Sequence, residues 1–245
     1  MTEPARQFLA ELLGTALLVA TVIGSGIAAQ RLSPGDTGLQ LLQNSIATGA
    51  VLVALILALQ PVSAAFNPVV TLVERALGAI GTGRAACLIA AQLLGGTAGA
   101  VVANLMFDLA PVTLSGTVRA GGHVWLAEVV ATLGLVVVVF GVLRSGRPGT
   151  VAYAVGGYIT AAYWFTSSTS FANPAVTVAR MFSDTFAGIA PSSVVVFVLM
   201  QLAGGALALG VVTLLYPDAA RSAAALADPP PTSPEPRAAP HQEAT

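Results

Sequence analysis

The sequence predicts an all-α membrane protein: six transmembrane helices plus two re-entrant half-helices, arranged as an inverted repeat. Three observations carry this prediction. They are apolar blocks of spanning length, two short helix-like stretches that each open on Asn-Pro, and matched motifs in the two halves of the chain. Of the 245 residues, 56% are hydrophobic and only 9% charged, too little charge to cover the surface of a soluble domain. The apolar residues fall in blocks of about 20, the length that crosses a hydrocarbon core of roughly 30 Å, so the main partner of the chain is a lipid bilayer. The net charge of −1 removes the case for a nucleic-acid-binding face.

Six long apolar segments are marked: Phe8–Ala29, Leu41–Val62, Arg84–Phe107, Val124–Leu143, Val151–Thr166 and Ser193–Tyr216. The fifth is short for a span. The first follows Arg6 and could pass for a signal peptide, but it contains Glu11 and lacks a small-residue cleavage pattern, so a retained span is expected. Two further stretches, Asn67–Leu77 and Asn173–Thr185, are too short to cross a bilayer at about 1.5 Å rise per residue. Each opens with Asn at the cap and Pro at the first turn, a strong helix start. With a cytoplasmic N-terminus, six crossings put Arg6, Arg75, Arg84, Arg144, Arg147, Arg221 and Arg237 inside, and Arg31, Arg119 and Arg180 outside. That imbalance fits the positive-inside rule and a multi-pass protein of the cell membrane with both termini cytoplasmic. Residues 1–217 read as one membrane domain and 218–245 as a disordered Pro/Ala-rich cytoplasmic tail.

The two halves, about 6–107 and 122–217, match in three ordered blocks. Ala10-Glu11-Leu12-Leu13-Gly14-Thr15 pairs with Ala127-Glu128-Val129-Val130-Ala131-Thr132. Asn67-Pro68-Val69-Val70-Thr71 pairs with Asn173-Pro174-Ala175-Val176-Thr177, and Gln92-Leu93-Leu94-Gly95-Gly96 with Gln201-Leu202-Ala203-Gly204-Gly205. Each half holds an odd number of spans, so the second is inserted upside down relative to the first. The functional site is then expected where the halves meet near midplane. Two half-helices starting there would set their positive ends face to face, while both Asn side chains cap backbone and offer an amide N–H to the lumen. Neutral hydroxylated solutes would accept from those donors, whereas a cation would shed water it cannot replace.

These paired motifs resemble the major intrinsic proteins, the aquaporins and aquaglyceroporins, over about residues 6–217. The resemblance implies an aquaporin-like fold, one pore per subunit, a homotetramer, and structural roles for Glu11 and Glu128 in holding the re-entrant loops. The cation-exclusion logic above is the one known for aquaporin-type pores and comes with the resemblance. It also implies passage of small neutral solutes (water, polyols, metalloid hydroxides), with pore motifs at Asn67, Pro68, Val69, Asn173, Pro174 and Ala175.

The chain departs from most of that family at the filter. The position three after the second Asn, usually Arg, is Val176. Counting back from the Asn residues puts the other filter positions at Ala47, Ala161 and Ser170, with Thr48 replacing Ala47 if the second helix shifts by one residue. Arg180 is expected at the outer mouth, and Tyr163, Trp164 and Phe165 in an interfacial belt. A wide, weakly polar filter follows, suited to glycerol, boric acid or arsenous acid. The run Ser168-Thr169-Ser170-Phe171-Ala172-Asn173 also looks like the bacterial aquaporins associated with arsenic-resistance operons. A water-selective channel is the alternative, and a proton-coupled transporter a third reading, opposed by the structural roles the resemblance gives Glu11 and Glu128. No enzyme is expected, since the spans hold no His, Cys pair or Ser/His set; His123 falls in or beside an outer loop. The single Cys87 has no partner for zinc or a disulfide, so neither metal nor cofactor is expected.

Overall fold

The computed structural model describes residues 1–218; Arg221, Arg237 and the rest of the expected tail fall outside the described residues. Among those described, every regular element is helical: α1 (Glu3–Leu32), α2 (Thr37–Leu59), α3 (Pro68–Ala76), α4 (Thr82–Met106), α5 (Gly122–Arg144), α6 (Val151–Phe165), α7 (Pro174–Arg180) and α8 (Pro191–Leu215). Five of these, α1, α2, α4, α5 and α8, are long and apolar enough to cross a membrane. The fifth apolar segment is α6, with 15 residues, preceded by a 3-10 turn at Pro148–Thr150. The two together rise about 28 Å, close to the hydrocarbon thickness.

α1 and α4 run the same way and end together, where Arg31 Nη2 donates to the Phe107 carbonyl at 2.7 Å. That end is the far side. The opposite end, the terminal side, holds the start of α1 and the ends of α5 and α8, where Arg144 pairs with Asp218 at 3.7 Å. Packing follows the repeat: α1 lies on α4 and α5 on α8, while α3 packs on α8 and α7 on α4. Each half-helix thus touches the last helix of the other half as well as that of its own. Small residues make this possible. A Cβ on Gly95 or Gly99 would collide with the backbone carbonyls of Leu12 or Ala16, and one on Gly204 with that of Val129. Backbones approach this closely only where side chains are missing.

The half-helices are α3, with 9 residues, and α7, with 7. Their caps are the expected Asn residues. Asn67 Oδ1 accepts from Val69 N at 2.9 Å, and Asn173 Oδ1 from Ala175 N at 3.0 Å and Val176 N at 3.2 Å. α7 ends at Arg180, short of the expected Thr185. Asn104 of α4 explains the early stop: its amide donates to the Phe182 carbonyl at 3.0 Å, and its Oδ1 accepts from Ser183 Oγ at 2.7 Å. Those bonds hold the chain in a turn instead of a further helical turn.

Candidate functional site

Two buried carboxylates organise the site. Glu11 accepts from Ser63 Oγ at 2.6 Å, Ala65 N at 2.8 Å, Phe66 N at 2.7 Å and Gln92 Nε2 at 2.8 Å. Glu128 accepts from Phe171 N at 2.9 Å, Ala172 N at 2.9 Å and Gln201 Nε2 at 2.6 Å. A charged oxygen in a water-poor interior needs such donors, and each carboxylate gathers its own from a re-entrant segment and a neighbouring helix. Gln92 and Gln201 pass the link on to the half-helices, donating to Thr71 Oγ1 at 3.0 Å and Thr177 Oγ1 at 2.8 Å. Gln92, Gln201, Thr71 and Thr177 all stand in the matched blocks of the repeat. Their recurrence at equal places in both halves was the available signal.

The two Asn residues cross-link the halves. Asn67 Nδ2 donates to the Ala172 carbonyl at 2.8 Å, and Asn173 Nδ2 to the Phe66 carbonyl at 2.7 Å. Each amide nitrogen carries a second hydrogen that these bonds leave over. The residues before the Asn caps are left-handed, Phe66 at φ 48° and Ala172 at φ 47°. Side chains adopt that region at a cost of about 1–3 kcal/mol, and the Glu11 and Glu128 bonds to those same amides hold the geometry in place.

Both Asn residues line one internal cavity of about 100 Å³. It runs from Gln60, Ile80 and Arg84 on the terminal side, past Asn67 and Asn173, to Thr48, Tyr163, Ser170, Val176 and Arg180 on the far side. Its apolar wall includes Leu18 of α1, Leu52 of α2, Leu135 of α5 and Ile159 of α6. Val69, Pro68, Pro174 and Ala175 are buried but do not line it; Val69 instead points at Gly205 of α8.

The filter positions are placed differently from the sequence expectation. Thr48, and not Ala47, lines the far limb. Ala161 is exposed on the outside of α6 and does not line the cavity. Tyr163 occupies that side of the cavity: it is 3% exposed, and its hydroxyl lies 3.1 Å from Thr48 Oγ1. Only Trp164 and Phe165 face outward as a belt would. Ser170 and Val176 line the limb where expected. Arg180 is not solvated at the mouth. It is 2% exposed, stacks 3.4 Å from the Phe171 ring centroid, and donates through Nε to the Ala187 carbonyl. An aromatic and a charge therefore stand in a limb read from the sequence as wide and neutral. His123 is exposed in the first turn of α5, and Cys87 is exposed on α4. Among the described residues no cluster of three or more His, Cys, Asp or Glu is placed to hold a metal.

Apolar helices of membrane length, half-helices meeting cap to cap, and one lined passage past both caps define a membrane channel. Comparison with known proteins gives it a family. A profile of the major intrinsic protein family matches residues 1–162. The chain is 49% identical to aquaglyceroporin AqpS of Rhizobium meliloti (strain 1021) over 211 residues, 86% of this chain and 90% of that protein. It is 34% identical to the lens fiber major intrinsic protein of Rattus norvegicus over 172 residues, 65% of this chain and 62% of the relative. The X-ray structure of the aquaglyceroporin from Plasmodium falciparum superposes with a TM-score of 0.67 at 17% identity, covering 88% of this chain and 98% of that one, a likeness of fold. The chain belongs to the major intrinsic protein family. It is a channel for small neutral solutes and not an enzyme.

Proposed function

We propose that the channel passes small hydroxylated molecules such as glycerol and arsenous acid while excluding ions, as a homotetramer in the cell membrane with both termini cytoplasmic. The observation that carries the solute reading is the cavity itself. Its lining includes both Asn67 and Asn173, and Val176 lines the far limb at the position where the family resemblance leads one to expect Arg. Solute hydroxyls would accept from the remaining Asn67 and Asn173 amide hydrogens, while the apolar wall takes the carbon face of a polyol. Ion exclusion follows from the same place, because two half-helix N-termini repel a cation that has shed its water. No ionisable group is needed to drive flux; Glu11 and Glu128 have their oxygens engaged by backbone and Gln donors. A water-selective reading draws on the Thr48–Tyr163 contact, which closes one side of the far limb.

Light-scattering assays on proteoliposomes separate the two. Glycerol or arsenite uptake well above that of empty vesicles is expected, and Val176→Arg should reduce it while leaving water flux in place. Uptake equal to that of empty vesicles would overturn the polyol reading, and water flux alone would favour the second.

A further inference from the structure

The far limb holds more positive charge than the passage of neutral solutes requires. Arg180 is 2% exposed and lines the cavity. Of its five N–H groups, Nε is engaged by the Ala187 carbonyl. Arg180 Cζ lies over the Phe171 ring, 3.4 Å from its centroid, so the ring face restricts where the guanidinium can turn. Arg119, from the loop between α4 and α5, sits 5.0 Å from the centroid of the same ring, and its Nε donates to the Gly188 carbonyl at 3.0 Å. Carboxylates near this pair are otherwise occupied. Glu128 receives Phe171 N, Ala172 N and Gln201, and Asp184 Oδ1 receives Gly116 N at 3.0 Å. Next to Phe171 in sequence, Ser170 also lines the cavity, and its hydroxyl is buried without a hydrogen-bond partner.

We propose that Arg180 and Ser170, backed by the charge of Arg119, form a docking site for a small tetrahedral oxyanion in the far limb, where its occupancy obstructs the passage. This rests on the channel reading above but concerns a ligand that binds and does not pass. A buried cation without a carboxylate is costly, and an oxyanion supplies both the missing charge and acceptors for the remaining N–H groups and the Ser170 hydroxyl. On the terminal side the same cavity is lined by Glu74, at the position seven after Asn67 that Arg180 holds after Asn173.

Inorganic phosphate is the probe, and binding and flux are read separately. Phosphorus NMR line broadening on the purified full-length protein reports binding. Glycerol uptake into proteoliposomes, with phosphate on both faces and sodium chloride at matched ionic strength as reference, reports obstruction. With an affinity on the order of 1–10 mM, phosphate at that concentration slows uptake about twofold. R180Q and S170A should weaken both the broadening and the phosphate-dependent slowing. R180K should keep part of each, and R31Q, which removes an exposed charge on the same side, should keep all of it. Equal broadening in wild type and R180Q, or none in wild type, would overturn the site; should R180Q not fold, S170A and R180K decide by the same criterion. Absence of glycerol flux in every sample would count against the polyol reading alone, since the broadening is measured without it.

Discussion

A carboxylate deep in an apolar interior is tolerated only with donors on it, and Glu128 has three within 2.9 Å, two of them backbone amides at the left-handed bend before Asn173. Glu128→Gln would turn one acceptor into an NH2 facing an amide N–H or the Gln201 amide. The expected cost is about 2–4 kcal/mol, read as a lower unfolding midpoint in detergent, together with slower solute flux. An unchanged midpoint would mean the re-entrant loop holds its shape without that charge. Glu11 and Glu128 could be picked out from the sequence because an acid in a span is rare and these two recur at the same place in the repeat. Arg180 was harder to read. Its burial depends on Phe171 lying beneath it and on Ala187 returning over it, and the latter is contributed by an irregular segment whose path leaves no periodic trace.

Among the helices, the seams are set by glycine. Gly99→Val would press a branched side chain onto the Ala16 carbonyl, backbone that cannot swing aside, and should prevent α1 and α4 from seating. The same change at Gly210 of α8, which has open space around it, should be silent. Yields of monodisperse protein for the two variants check this; a well-behaved Gly99→Val protein would show that the α1–α4 seam can open. Helix positions and lengths were legible because apolar blocks and Asn-Pro starts mark them directly. Helix phase was not. Counting from Asn173 back to α6 crosses Thr169, Ser170 and Ala172, all left-handed, so the residue count no longer tracks rotation. An error of two residues turns a helix by about 200°, which is the difference between Ala161 on the outside and Tyr163 in the passage. At α2 a single residue, about 100°, separates Ala47 from Thr48.

At the scale of the molecule, two nearly identical hydrogen bonds join the halves, Asn67 to Ala172 and Asn173 to Phe66. Their chemistry predicts coupling. Asn67→Ala and Asn173→Ala should each destabilise by about 1–3 kcal/mol, losing a cap and orphaning a buried carbonyl. Because both bonds brace one junction, the double variant should depart from additivity by about 0.5–3 kcal/mol. Strict additivity in unfolding experiments would indicate that the halves meet as independent surfaces. The inverted arrangement was readable from odd span counts and matched blocks. The reciprocal bonding was not, because it joins the cap of one half to a carbonyl specified only by the bend of the other.

Reciprocity also imposes a sequence of events during synthesis. The Ala172 carbonyl that receives the Asn67 amide lies 105 residues further along. At about 5–20 residues per second, a ribosome delivers it roughly 5–20 s after Asn67 emerges. Through that interval the newly made first half carries an exposed polar tip at a depth where lipid offers nothing to satisfy it. The nascent chain therefore depends on shelter from the insertion machinery until its second half arrives.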